Sequence, residues 1–170
     1  MLRLFIIILT SFNPVLSSIN ISTKFKSTEQ AIKTLTTPSF FRHRMLYLDT
    51  NNYYTSQNLI DSDQKIKWPL EIIYNKKHSL KKFPLLPVPS LKTKEIWSLD
   101  SNQLTGHITT PLITMKVIIK AKEKDVIVVN INSLVISKSV IVPFKNKVIQ
   151  DDVCFQIKNI LSKVLHDSGF

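Results

Sequence analysis

From Met45 onward the hydrophobic pattern of this chain changes period once, near Phe144, and that change constrains the fold more than any motif does. From Met45 to Phe144, apolar residues alternate with polar ones or form short runs bounded by turn residues, as strands require. Beyond Phe144, Val153, Ile157, Ile160, Leu161 and Val164 recur at helical spacing. Asp151 and Asp152 then suit the amino-terminal end of a helix dipole, with Cys154 in the first turn and Lys163 and His166 near the other end. This order predicts an α+β domain that ends in an amphipathic helix of about five turns.

The clearest hairpin runs from Ile113, Met115, Val117, Ile119 and Ala121 through Glu123-Lys124-Asp125 into Val126–Ile131. A second joins Leu91–Leu99 to Gln103–Thr109 across Asp100-Ser101-Asn102. Ile66, Trp68, Leu70, Ile72 and Tyr74 also alternate. Because Pro69 cannot donate to a ladder, that strand is expected at an edge or with a bulge. Met45–Leu48 and Tyr53–Ser56 suggest a weaker pair, the three prolines of Phe83–Ser90 break regular structure, and Leu134–Val142 reads as a last strand closed by Pro143. Ahead of these, Ile19–Phe25 alternates as a first strand. Ser27-Thr28-Glu29-Gln30 has the form of a capping box. It opens a short helix with Ala31, Ile32 and Leu35 on one face, Pro38 stops it, and Ser39 caps a second short turn carrying Phe40 and Phe41.

Composition removes several function classes. At 170 residues the chain suits one domain. Its two glycines, Gly106 and Gly169, leave no Gly-rich phosphate loop or dinucleotide fingerprint. One cysteine excludes internal disulfides and cysteine-rich metal sites, and His43, His78, His107 and His166 do not pair at ligand spacing, so neither a metal nor a cofactor is expected. The net charge of +11 is carried by lysine rather than by the arginine fork that reads bases and phosphates, which disfavours nucleic acid. Lysines cluster between Lys65 and Lys94, with Lys76, Lys77, Lys81 and Lys82 at the centre of a candidate basic face.

Arg3 followed by the apolar run Leu4–Leu9 is too short to span a bilayer and fits a signal peptide, giving a leader over residues 1–17 and a domain over 19–170. Thr10-Ser11-Phe12-Asn13-Pro14, followed by a hydroxyl-rich, acid-poor stretch, resembles the junction of a bipartite plastid leader.

The element order, together with Thr37-Pro38 after the first helix, Leu104-Thr105-Gly106-His107 within a strand and Ile127–Phe144 feeding the last helix, resembles the START-like (SRPBCC, helix-grip) superfamily and its plastid and cyanobacterial members. The resemblance implies an antiparallel sheet curled around the final helix, and between them a cavity that takes an apolar ligand; the leading expectation is non-enzymatic binding or transfer of a lipid or other apolar small molecule. Trp68, Leu70, Trp97, Met115, Val117 and Ile157 line that cavity if they leave space, and form a dry core if they fill it. An alternative function is a structural or assembly subunit that docks its lysine-rich face on an acidic protein, RNA or an anionic membrane. The weakest chemical candidate is His107 acting as a base oriented by Glu71 or Glu95.

Overall fold

The computed structural model describes residues 15–48, 52–59, 64–76, 90–111, 113–122, 125–135 and 146–167. In chain order the elements are β1 (Val15–Ser22), α1 (Thr28–Leu35), α2 (Pro38–Tyr47), β2 (Tyr53–Thr55), β3 (Leu70–Lys76), β4 (Leu91–Asp100), β5 (Gln103–Thr109), β6 (Ile113–Lys122), β7 (Val126–Val135) and α3 (Asn146–Asp167). The strands form one sheet in the order β1-β7-β6-β5-β4-β3-β2, antiparallel throughout. The two expected hairpins are its centre, turning at Ser101 and Asp125, both at positive φ. Asp125 also fixes the exit of β1: its carbonyl accepts from the Thr23 amide at 2.9 Å and its Oδ1 from the Phe25 amide at 3.1 Å.

The two short helices are set by their caps. Ser27 Oγ accepts from the Gln30 amide at 3.1 Å, while Gln30 Oε1 reaches back to the Lys26 amide at 2.7 Å. Pro38 follows the end of α1 as expected, but it is also the first residue of α2, where its missing N–H costs nothing. Thr37, rather than Ser39, caps α2, accepting from the Phe40 amide at 3.2 Å.

Four local expectations are corrected. Met45–Tyr47 are helical, not a strand, because Phe41, Arg44, Met45 and Leu48 form one buried face of α2 at helical spacing. Pro69 precedes β3 and therefore removes no ladder bond, and β3 is an interior strand flanked by β2 and β4. Leu134 and Val135 continue β7 instead of opening a new strand; residues 136–145 lie outside the described residues. Because α3 begins at Asn146, Asp151, Asp152 and Cys154 lie beyond its first turn, where the dipole effect has faded. β1 starts at Val15, so residues 15–17 pair with residues 131–133 of β7.

Alternation divides the sheet into two faces. Leu70, Ile72 and Tyr74 of β3, Trp97 of β4, Leu104 and Ile108 of β5, Val117 and Ile119 of β6, and Val129 and Ile131 of β7 are buried on the face that meets the helices. Helix α3 packs on α2, β1 and β7 through Leu161, Val164 and Leu165, and α1 packs on β5 and β6. Tyr47 donates to Asp167 and lies beneath Lys163 Nζ at 5.6 Å, which joins the outer ends of α2 and α3.

At the centre of the inner face, Trp97 stands opposite Gly106, and a Cβ on Gly106 would lie 2.7 Å from the Trp97 ring. The ring occupies the space that a side chain at position 106 would take. Gly106→Ala is expected to displace Trp97 and cost about 1–3 kcal/mol as overpacking. Chemical denaturation, with indole emission followed in a Trp68→Phe background, measures both effects.

Candidate functional site

Along β4, Lys92, Lys94 and Ile96 point outward, whereas Thr93, Glu95 and Trp97 point inward. A carboxylate is thus carried to the middle of an apolar face, with Ile72 and Ile108 as its cross-strand neighbours. Glu95 has no solvent exposure, and desolvating its charge is tolerable only with partners. Four donors supply them. Oε2 accepts from Arg44 Nη1 at 2.5 Å and Trp97 Nε1 at 2.7 Å; Oε1 accepts from Arg44 Nη2 at 2.8 Å and Tyr74 Oη at 2.6 Å. The bidentate arginine fork meets the carboxylate edge to edge, and its guanidinium lies 5.1 Å from the centre of the Trp97 ring.

Helix α2 brings Arg44 there because Arg44 shares its buried face with Phe41 and Met45. Phe41 stacks edge-on against Trp97 at 5.7 Å and lies 6.1 Å from Trp68, so aromatic packing holds the helix at the height the ion pair needs. Burial is the largest single influence and would lower the Arg44 pKa, but the Glu95 charge, the Tyr74 phenol and the hydrogen bonds to both together outweigh it, and the guanidinium is held above its ordinary value. For Tyr74, burial and then the Glu95 charge push the phenol well above its usual pKa, against a smaller opposing effect of Arg44.

The candidate residues separate clearly. Leu70, Trp97 and Val117 stand with Gly106 in one transverse row across β3, β4, β5 and β6, and Met115 occupies the next row beside Ile108. All four are buried on the inner face. Trp68 lies ahead of β3, half-buried against Phe41. The Ile157 side chain, like Lys77, Lys81 and Lys82, lies outside the described residues, and Lys76 closes β3. His107 does not meet Glu95: it is exposed on the outer face, opposite Ile96 and Lys116. Glu71 shares that outer face but is two strands from His107 and pairs with Lys94 at 3.2 Å. The base reading of His107 therefore fails on face and distance.

No local sequence pattern marks Arg44 or Tyr74 as a site residue, although Glu95 carries a signal in sharing its parity with Trp97. Among the described residues, three buried side-chain polar atoms lack a hydrogen-bond partner: Thr23 Oγ1, His43 Nδ1 and Thr93 Oγ1. Only Thr93 stands on the inner face of β4, one inward position from Glu95 and opposite Tyr74. No three His, Cys, Asp or Glu side chains converge as a metal site among the described residues.

No protein-family model matches the chain, and no curated protein matches it in sequence. Its architecture is nevertheless found in solved structures. Ara h 8.0201, a Bet v 1-like protein of START/SRPBCC type, matches with a TM-score of 0.55 at 7% identity, over 92% of this chain and 98% of that one. A conserved protein from Geobacillus kaustophilus matches with a TM-score of 0.56 at 8% identity, over 91% and 93%. With the seven-stranded sheet and the carboxy-terminal helix, this likeness establishes an α+β helix-grip fold.

Two expectations follow from the cluster. Arg44→Met leaves Glu95 buried without its cation and should cost about 3–5 kcal/mol. Arg44→Met with Glu95→Leu removes both charges but strands the Tyr74 hydroxyl and Trp97 indole N–H, each worth about 1–3 kcal/mol when unpaired, so the double variant stays well below wild type in urea titration. The second concerns pH. A phenol with a raised folded pKa contributes stability that is fully present below its unfolded value of about 10 and lost as pH rises beyond it. Thermal midpoints should therefore fall more steeply above that pH in wild type than in Tyr74→Phe.

Proposed function

We propose that this chain is a non-enzymatic carrier that binds a lipid or other apolar small molecule between the inner face of its sheet and α3. The observation that carries this reading is the inner face itself. Among the described residues it is apolar from β3 to β7 apart from Thr93 and a single ion pair whose carboxylate already accepts four hydrogen bonds. A general base needs a free lone pair within reach of substrate, and Glu95 has none to offer. The helix-grip likeness to Ara h 8.0201 agrees with a ligand-holding fold. In this reading Leu70, Trp97, Met115 and Val117 form the sheet wall, Trp68 the rim, and Ile157 a contribution from α3. A removable leader over residues 1–17, serving secretion or plastid delivery, belongs to the same proposal. A cut after Ser11 leaves β1 whole, whereas a cut after Ser17 takes its first three residues.

Mass spectrometry of the protein from its native source tests both parts. Solvent extraction is expected to release an apolar compound in stoichiometric amount, and the intact mass to lack the leader. An empty extract together with no binding across a panel of fatty acids, alcohols, sterols and phospholipids overturns the carrier function. A chain starting at Met1 overturns the leader.

A further inference from the structure

We propose that the ligand carries a neutral polar head, a hydroxyl or a carbonyl, which hydrogen-bonds to Thr93 Oγ1. This rests on the carrier reading and specifies its ligand class. Thr93 is 2% exposed, and its hydroxyl has no hydrogen-bond partner among the described residues. A buried hydroxyl left unpaired is costly, and folded proteins rarely retain one without a use. It lies one inward position along β4 from Glu95 and opposite Tyr74, so it borders the polar cluster at the heart of the apolar face.

The cluster already spends its strongest groups on itself. Both Glu95 oxygens are doubly occupied, the Tyr74 proton and the Trp97 N–H are given to Glu95, and Arg44 is turned edge-on to the same carboxylate, whereas the Thr93 hydroxyl has its whole hydrogen-bonding capacity unused. Nor can the cluster attract a charge, because Arg44 is matched edge to edge by Glu95 and the pair is neutral. Lys76, at the end of β3 beyond Tyr74, is half-buried and has an interaction of its own. A carboxylate brought beside Thr93 would lose its hydration without gaining an unmatched cation among the described residues, a heavy penalty in an apolar site. A hydroxyl or carbonyl loses far less and gains the Thr93 hydrogen bond.

The test is displacement of a neutral naphthylamine dye from the purified protein by dodecanol, dodecyl chloride and dodecanoate, which share a chain length and differ in the head. Dodecanol should displace the dye at a concentration roughly three- to tenfold below that of dodecyl chloride, as one added hydrogen bond implies, with dodecanoate the weakest. Thr93→Val should bring dodecanol to the dodecyl chloride value and leave dodecyl chloride unchanged, while Thr93→Ser retains the preference. Equal displacement by dodecanol and dodecyl chloride in wild type, or dodecanoate as the strongest competitor, overturns the neutral-head assignment and leaves the carrier reading standing. If the dye binds and none of the three displaces it, or if no apolar probe binds at all, the carrier reading itself falls and the assignment falls with it. The wild-type comparison stands even if the valine variant fails to fold.

Discussion

The Glu95 carboxylate is the constraint around which the inner face of this domain is organised. A charge at that depth is tolerated only when every lone pair is used, and four donors from three elements use them: Arg44 of α2, Tyr74 of β3 and Trp97 of β4 itself. None of these groups could move far without stranding the others. Hydrophobic burial is non-directional and would allow α2 to slide over the sheet, whereas a bidentate ion pair permits one height and one rotation. The cluster thus confers position more than net stability.

The aromatic packing around it has the same logic. Trp97 lies in the space left by Gly106, presents its N–H to Glu95, receives the guanidinium of Arg44 over its ring and packs edge-to-face with Phe41. One side chain therefore joins the sheet, the ion pair and α2. Helix α3 is attached differently, by the buried residues Leu161, Val164 and Leu165 and by the exposed contact of Tyr47 with Asp167. The half of the inner face beneath α2 is rigidly specified by polar geometry. The half beneath α3 is held by apolar contact, which adapts more readily to an enclosed molecule.

A helix-grip fold hosts many functions, so the reading offered for this chain rests on its own site rather than on the likeness to other structures. What distinguishes the site is a polar centre paired within itself: a carboxylate that accepts four hydrogen bonds, a guanidinium matched to it edge to edge and a phenol held protonated by burial. In the proposed carrier, this self-paired centre forms part of the wall against which the ligand rests.

The alternation of β4 to β7, both central turns, the capping residue of α1 and the terminal amphipathic helix were legible along the chain, because each depends on neighbours within a few residues. Helix α2 was legible only in its first turn around Phe40 and Phe41, since Met45–Leu48 is too short a run to declare its period and Arg44 interrupts its apolar face with a charge. The continuity of β7 through Val135 depended on pairing with Ile113 of β6, and the interior place of β3 on its ladder with β2. The site was half visible. Glu95 shares the inward parity of Thr93 and Trp97, which marks it as a carboxylate that must find a partner. That the partner is Arg44, 51 residues earlier, was decided only when the folded sheet and the packing of Phe41 against Trp97 brought helix and strand together. Periodicity records which face a residue occupies, while the pairing of distant charges depends on how the faces meet in space.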